Sequence, residues 1–285
     1  MAMFISTDDP VAVATTEAIK ASEFRALNSL LKANPDLAKA YIGTPTEART
    51  LLHIVTDWPG HLPYCVGMIH LIVLAGADVD APFIGPSHKE TPLHWAASCG
   101  DLSAMKALMD QGVTIDPTGG VIADGTPLTD AVAFRQWEAA KLLLERGAKP
   151  NIRSAAALGL MDNLREAFGE TKSSDSAEIP LKEDLDYAFW YACHGGQLEA
   201  AQFLHTRGAD PHVMPPWSEG ATVLDAAKEN DNSDDGSIEI DHCRRMLKST
   251  EVVKLQGERH IHLEENGTRG AVVGLGVHDR IELVR

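Results

Sequence analysis

Aromatic residues make up only 6% of this 285-residue chain, cysteines number four, and basic residues are outnumbered by acidic ones, 25 to 41. Each scarcity excludes something. Cys65, Cys99, Cys193 and Cys243 lie far apart with no CxxC pair, which predicts reduced thiols in a cytoplasmic protein and not a disulfide framework. A formal net charge of −16 with no Lys/Arg cluster argues against nucleic acid or an anionic membrane as partner, because both repel an acidic surface. No apolar run approaches the roughly 20 residues that a membrane helix needs. The opening MAMFISTDDPVAV has no basic segment and meets Asp8 and Asp9 early, so no secretory leader is expected. Catalytic signatures are missing too: there is no GxSxG, HExxH, phosphate loop or dinucleotide fingerprint, and GLGVHD lacks the required spacing and following helix. No enzyme activity and no cofactor are expected.

What the chain has is internal repetition. TPLHWAASCGDLSAMKALMDQGVTID, Thr91 to Asp116, reads as two short antiparallel helices. Thr126 opens a copy 35 residues later, Thr50 one 41 residues earlier, and Tyr187 and Thr222 open two more. From Thr91 to Gly112, Thr126 to Gly147 and Tyr187 to Gly208 the distance is 21 residues each time. A period in the thirties with a preserved internal spacing marks a solenoid. The local chemistry agrees. Thr-Pro starts a helix well, because Thr caps free N–H groups and Pro tolerates the first helical position. Ala96 and Ala97 allow close helix approach. Leu102, Met105, Leu108 and Met109 give the second helix one apolar stripe, and Gly112 supplies the left-handed residue that stops it. No unit buries its stripe alone, so the units must stack.

TPLHWAA, followed by Gly100-Asp101-Leu102 and a closing Gly, resembles the ankyrin repeat, as do GADVDAP, GAKPN and GADPH after the second helices. The resemblance runs from about Val13 to Lys248. It implies an all-α ankyrin-repeat solenoid of about six to seven helix-turn-helix units over residues 1–248. AIKASEFRALNSLLKANPDLAKAY is the degenerate first unit. Four departures are expected: a helix–helix turn lengthened around WPGHLP, a hairpin nearly lost after Gly147, a polar loop at GETKSSDSAEIP, and a second lengthened helix–helix turn at DNSDDGS in the last unit. Residues 249–285 leave the repeat. VVKL, RHIHL, AVVGLGV and RIELVR read as strand-like, so a short β-like appendage is expected, either packed on the last repeat or ordering on contact.

The resemblance also implies where a partner would bind: the concave groove lined by hairpin tips and by the end of each first helix. At those positions stand Asp57, Trp58, Cys99, Phe134 and His194, with Phe83, His88, Glu90 and Trp217 from the tips, and His61 in the long turn. Trp58 and Trp217 sit among prolines and glycines where burial is hard, and exposed Trp is a typical binding anchor. Trp95, Trp137 and Trp190 fall at core positions, while His53 and His94 are implied to bond neighbouring backbone. The expectation is a non-catalytic, monomeric recognition module for a protein or peptide.

Two rival readings concern ligands. A pocket between the Trp58–His61 turn and His194 would suit an enzyme or a small-ligand or metal-binding protein, if His61 and His194 converge on one point. DNSDDGSIEIDH, Asp231 to His242, resembles a calcium loop, with Gly236 at the sharp turn. His242, however, stands where a bidentate Glu is needed. His260 and His262 lack a partner at ligand spacing, so no metal is expected.

Overall fold

The computed structural model describes residues 3–170, 180–218 and 220–228. The chain divides into two compact units, Met1–Arg244 and Arg245–Arg285, and every described residue lies in the first. The expected β-like tail, the Asp231–His242 loop and the side chain of Trp217 lie outside the described residues.

Helices follow one another in pairs. The first members are α1 (Pro10–Lys20), α3 (Leu51–Thr56), α5 (Pro92–Ser98), α7 (Pro127–Ala133), α9 (Ile152–Ala157), α11 (Lys182–His194) and α13 (Val223–Lys228). The second members are α2 (Phe24–Ala33), α4 (Cys65–Leu74), α6 (Leu102–Asp110), α8 (Trp137–Glu145), α10 (Met161–Ala167) and α12 (Leu198–Thr206). Each first helix packs on the next first helix along the whole row, and α2, α4, α6 and α8 pack likewise. Small residues allow the close approach. Ala96, Ala97, Ala131, Ala155, Ala156, Ala188 and Ala192 are all buried in the first-helix row. The apolar stripes of the second helices, through Met105, Leu108, Leu143 and Leu204, close the core from the other side. The fold is an ankyrin-type solenoid.

Caps set the start of each first helix. Thr50, Thr91 and Thr126 each form a capping box with the residue three places on, His53, His94 and Thr129. The two histidines then reach across to the neighbouring unit: His53 Nε2 bonds Glu90 O at 3.0 Å and His94 Nε2 bonds Gly125 O at 3.2 Å. Carboxylates staple the stretches that follow the second helices. Asp80 accepts from Thr114 N–H at 2.9 Å and from its hydroxyl at 2.8 Å, and Asp116 accepts from Lys149 N–H at 3.0 Å. Backbone donors that would otherwise be orphaned are thereby satisfied between units.

The lengthened turn and the nearly lost hairpin expected from the sequence are present, and residues 171–179 of the expected polar loop lie outside the described residues. Eight residues, 57–64, separate α3 from α4, against three between α5 and α6. After Gly147 only four residues precede α9. A small sheet near the N-terminus is an addition that the repeat pattern does not announce. Strand β1 (Phe4–Ile5) pairs in parallel with β2 (Tyr41–Thr44), which pairs antiparallel with β3 (Glu47–Thr50). Ala48 bridges onward to Ile84 at the next tip. The strands are two to four residues long, too short for an alternating pattern to stand out between two helical units.

Candidate functional site

Two clusters collect most of the residues expected to bind, one at each end of the short first helices. At about 1.5 Å per residue, the seven residues of α5 put roughly 10 Å between its ends.

The first cluster is built on the long turn. Arg49 Nη1 meets Asp57 Oδ2 at 2.8 Å, and Asp57 Oδ1 accepts from Trp58 N–H at 2.9 Å, so the turn leaves α3 in a fixed direction. The Trp58–Pro59 bond is cis. Further on, His61 N–H donates to Asp101 Oδ2 at 2.7 Å and His61 Nε2 lies 3.2 Å from Cys99 O. Asp101 simultaneously caps α6 by accepting from Ser103 and Ala104 N–H at 3.1 and 3.0 Å. One carboxylate therefore starts a helix and ties down its neighbour's turn. Gly60 is pressed against that neighbour: a Cβ there would stand 2.9 Å from Cys99 Cβ. The fastened turn holds two large side chains outward, Trp58 at 66% exposure and Tyr64 at 74%. Half-buried Cys99 lies beside it, and Phe134 stands 45% exposed at the end of α7. The turns form a row, since Gly100 abuts the Gln136 side chain next to Phe134.

The second cluster gathers around Glu90. Its Oε2 accepts from Trp95 Nε1–H at 2.8 Å and lies 3.3 Å from His88 Nδ1, while its Oε1 accepts from Val121 N–H at 2.9 Å. Phe83 stacks on His88, with ring centroids 4.5 Å apart and planes 9° from parallel. Phe83 N–H donates to Glu90 O at 2.7 Å. Glu90 is buried, so it acts as the post that orients Phe83, His88 and Trp95. Those three rings are each half-buried, and Trp95 and Trp137 are less enclosed than core tryptophans would be.

His194 belongs to neither cluster. It is buried, with Nε2 3.1 Å from Val132 O and Nδ1 3.2 Å from Arg135 Nη2. Because the guanidinium donates to Nδ1, the imidazole carries its proton on Nε2 and donates to the carbonyl. Burial first, then the adjacent Arg135 charge, drive its pKa down to about 3. His61 bonds the α5–α6 turn whereas His194 bonds the end of α7, so the two do not meet on a common partner. Among the described residues, no group of three or more His, Cys, Asp and Glu side chains is arranged to hold a metal ion. Nor is any described helix long and apolar enough to cross a membrane.

Sequence reasoning passed over Arg49, Tyr64, Asp101 and Arg135. Asp101 had a legible signal, as an acid immediately before an apolar-periodic helix. Arg135 had none: its left-handed backbone (φ 58°) and its reach to Ala226 O at 3.1 Å depend on how later units stack.

A family model describing ankyrin repeats, in three copies, matches residues 64–154. The chain is 27% identical over 226 residues to the palmitoyltransferase Hip14 of Drosophila melanogaster, covering 76% of this chain and 34% of that protein. It is 30% identical over 139 residues to the human transient receptor potential cation channel subfamily A member 1, covering 44% of this chain and 12% of the channel. The chain thus spans about a third or less of the length of these curated relatives. The solved human ASB11 ankyrin repeat domain aligns with 84% of this chain and 97% of its own, at 19% identity and a TM-score of 0.44. The matched stretch holds the capping boxes at Thr91 and Thr126 and the closing Gly112 and Gly147, and residues 64–154 carry ankyrin repeats.

Proposed function

We propose that this chain is a non-catalytic recognition module that holds a protein or peptide along its first-helix row. Ankyrin repeats are in general protein–protein interaction modules, and the proposal narrows that to a surface and to residues. The observation that carries it is the 57–64 turn. Its backbone is held within its own unit by Asp57 and pinned to the next unit through His61 and Asp101, while Trp58 and Tyr64 stay exposed. A large aromatic side chain held rigidly in water loses little conformational entropy on binding, which is what makes an anchor effective. Phe134 extends the same edge, and Phe83 with His88 offers a stacked pair at the other end of the helices. Trp217 is retained as a contact on sequence grounds alone. Buried Glu90 and His194 support the surface from behind.

The division into a solenoid over 1–248 and a separate tail over 249–285, a monomeric state and a cytoplasmic location belong to the same proposal. Acyl transfer and ion conduction are named for relatives of which this chain spans 34% and 12%, and neither is assigned to it.

The test is affinity capture from the native host with wild type and with a triple Trp58→Ala, Phe134→Ala, Trp217→Ala variant in parallel. Proteins enriched by wild type should be lost from the variant while its melting temperature stays the same. Identical enrichment by both would overturn the site assignment.

A further inference from the structure

The repeat register exposes one residue that breaks the pattern. Four places on from Thr50, Thr91, Asn151, Tyr187 and Thr222 stand Ile54, Trp95, Ala155, Tyr191 and Ala226, all apolar or aromatic. Four places on from Thr126 stands Asp130. It is 1% exposed, and neither carboxyl oxygen has a hydrogen-bond partner among the described residues. Burial first, and the neighbouring Glu90 second, push its pKa up to about 8. Carboxylic acids are costly in such a place, and a cost borne at one copy out of six points to a use.

What covers Asp130 is the tip formed by residues 119–125. Gly120 N–H donates to Gly125 O and Gly125 N–H to Ile122 O, each at 3.0 Å, and Ala123 and Asp124 hold left-handed backbone. Gly120 lies directly on the acid: a Cβ there would stand 3.1 Å from Asp130 Oδ1. Three bonds seat this tip. Lys89 N–H donates to Gly119 O at 2.8 Å, Val121 N–H to Glu90 Oε1 at 2.9 Å, and His94 Nε2 lies 3.2 Å from Gly125 O.

Among the described residues, the surrounding charges offer Asp130 no counter-ion. Glu90 is of like sign. His88 lies against Glu90 Oε2, and His94 from α5 is kept neutral, its pKa lowered chiefly by burial. Arg153 from α9 pairs with Asp184 at 3.0 Å, and Arg135 reaches His194 and Ala226 O. On α8, exposed Glu138 pairs with Lys141.

We propose that Asp130 is a proton latch for the 119–125 tip, which stays seated while the carboxyl is protonated and lifts when the proton is lost. An ionised Asp130 has no donor among its described neighbours and a second carboxylate beside it, so its route to solvation is water entering beneath the glycine-rich cover. Lifting the tip breaks the Val121–Glu90 bond and frees the post that orients Phe83, His88 and Trp95. The switch therefore regulates one end of the recognition surface, and that consequence rests on the function proposed above. The working range straddles pH 8.

The test follows amide hydrogen exchange in the full chain without any partner, at about pH 6.5 and 9.5, on either side of the raised pKa and corrected for intrinsic rates. In wild type, protection of the Gly119–Gly125 amides should fall at least tenfold at the higher pH, while α5 and α6 amides hold. In Asp130→Asn the tip should keep its protection within twofold across the same range. Should Asp130→Asn fold poorly, Asp130→Leu, matching the apolar sister positions, serves as the second variant. Equal tip protection at both pH values in wild type, or the same fall in the variants, overturns the latch. Since no partner is present, a failure of the capture experiment leaves this result untouched, and the reverse holds too.

Discussion

Gly195→Ala should be among the most damaging single changes in this chain, for a reason that has nothing to do with backbone freedom. Gly195 closes α11 with φ −86° and ψ −3°, a conformation alanine adopts readily. The obstacle is the neighbouring unit. An added Cβ would stand 1.9 Å from Ala157 O, 2.7 Å from Ala157 C and 2.9 Å from Ala157 Cα. An ordinary carbon–oxygen contact is about 3.3 Å or more, so α9 and α11 must separate by about 1.4 Å. No side-chain rotation relieves this, because the clash is with backbone. Ala155, Ala156, Ala188 and Ala192 are buried along these helices, so separation opens a seam where small residues had allowed contact. A gap of roughly 0.5–1 Å already forfeits a quarter to a half of the dispersion well at each pair. We expect a loss of about 3 kcal/mol, the upper end of the usual overpacking range. With a urea dependence of about 3 kcal/mol per M, the midpoint falls by about 1 M. Gly112→Ala is the matched control. Its φ is +81° but nothing lies within 4 Å of the added Cβ, so only the left-handed backbone penalty of about 1 kcal/mol applies. Urea unfolding followed by circular dichroism compares the two. If Gly195→Ala costs no more than Gly112→Ala, the α9–α11 approach described above is wrong.

Other expectations concern pH. Asp130 has a folded pKa raised from 3.8 to about 8, so its stability contribution is intact below pH 3.8 and is lost progressively as pH rises toward 8. Asp130→Leu should remove that decline, by up to about 1.4 kcal/mol per pH unit, and melting curves of the two proteins should run parallel below about pH 4. His53 and His194, with pKa values driven down to about 3, and His94, lowered by burial, work in the opposite direction. Their unfolded forms take up protons below about pH 6.5 and the folded forms do not, so melting temperature should drop as pH falls from about 6.5 to about 5. A flat profile there would mean that these imidazoles are not held neutral.

How much of this was legible turns on the range of each interaction. Thr50, Thr91 and Thr126 could be read as helix starts because a cap acts within three residues, and the closing glycines because a left-handed stop is local. The lengthened turn after Thr56 and the lost hairpin after Gly147 could be read as breaks in a spacing. Exposure of Trp58 followed from its proline and glycine neighbours. His194 did not: aligned in register it falls at the end of a first helix, yet in the fold it turns inward to Val132 O and Arg135. Its partner Arg135 stands just past α7 and bonds residues 59 and 91 places away, on α11 and α13, past the intervening α9. In a regular array each unit touches only its neighbours, and that rule is what makes register informative. At Arg135 that rule lapses, and His194 and Ala226 become partners that no spacing records. Asp130 is the complementary case. Its surroundings are local and its position is regular, so the register itself marks it as an exception once the copies are aligned. Reading a degenerate solenoid thus requires two separate comparisons. Copies compared with one another reveal an ill-fitting residue such as Asp130, whereas the three-dimensional stack is needed wherever a side chain such as that of Arg135 bonds beyond the adjacent unit.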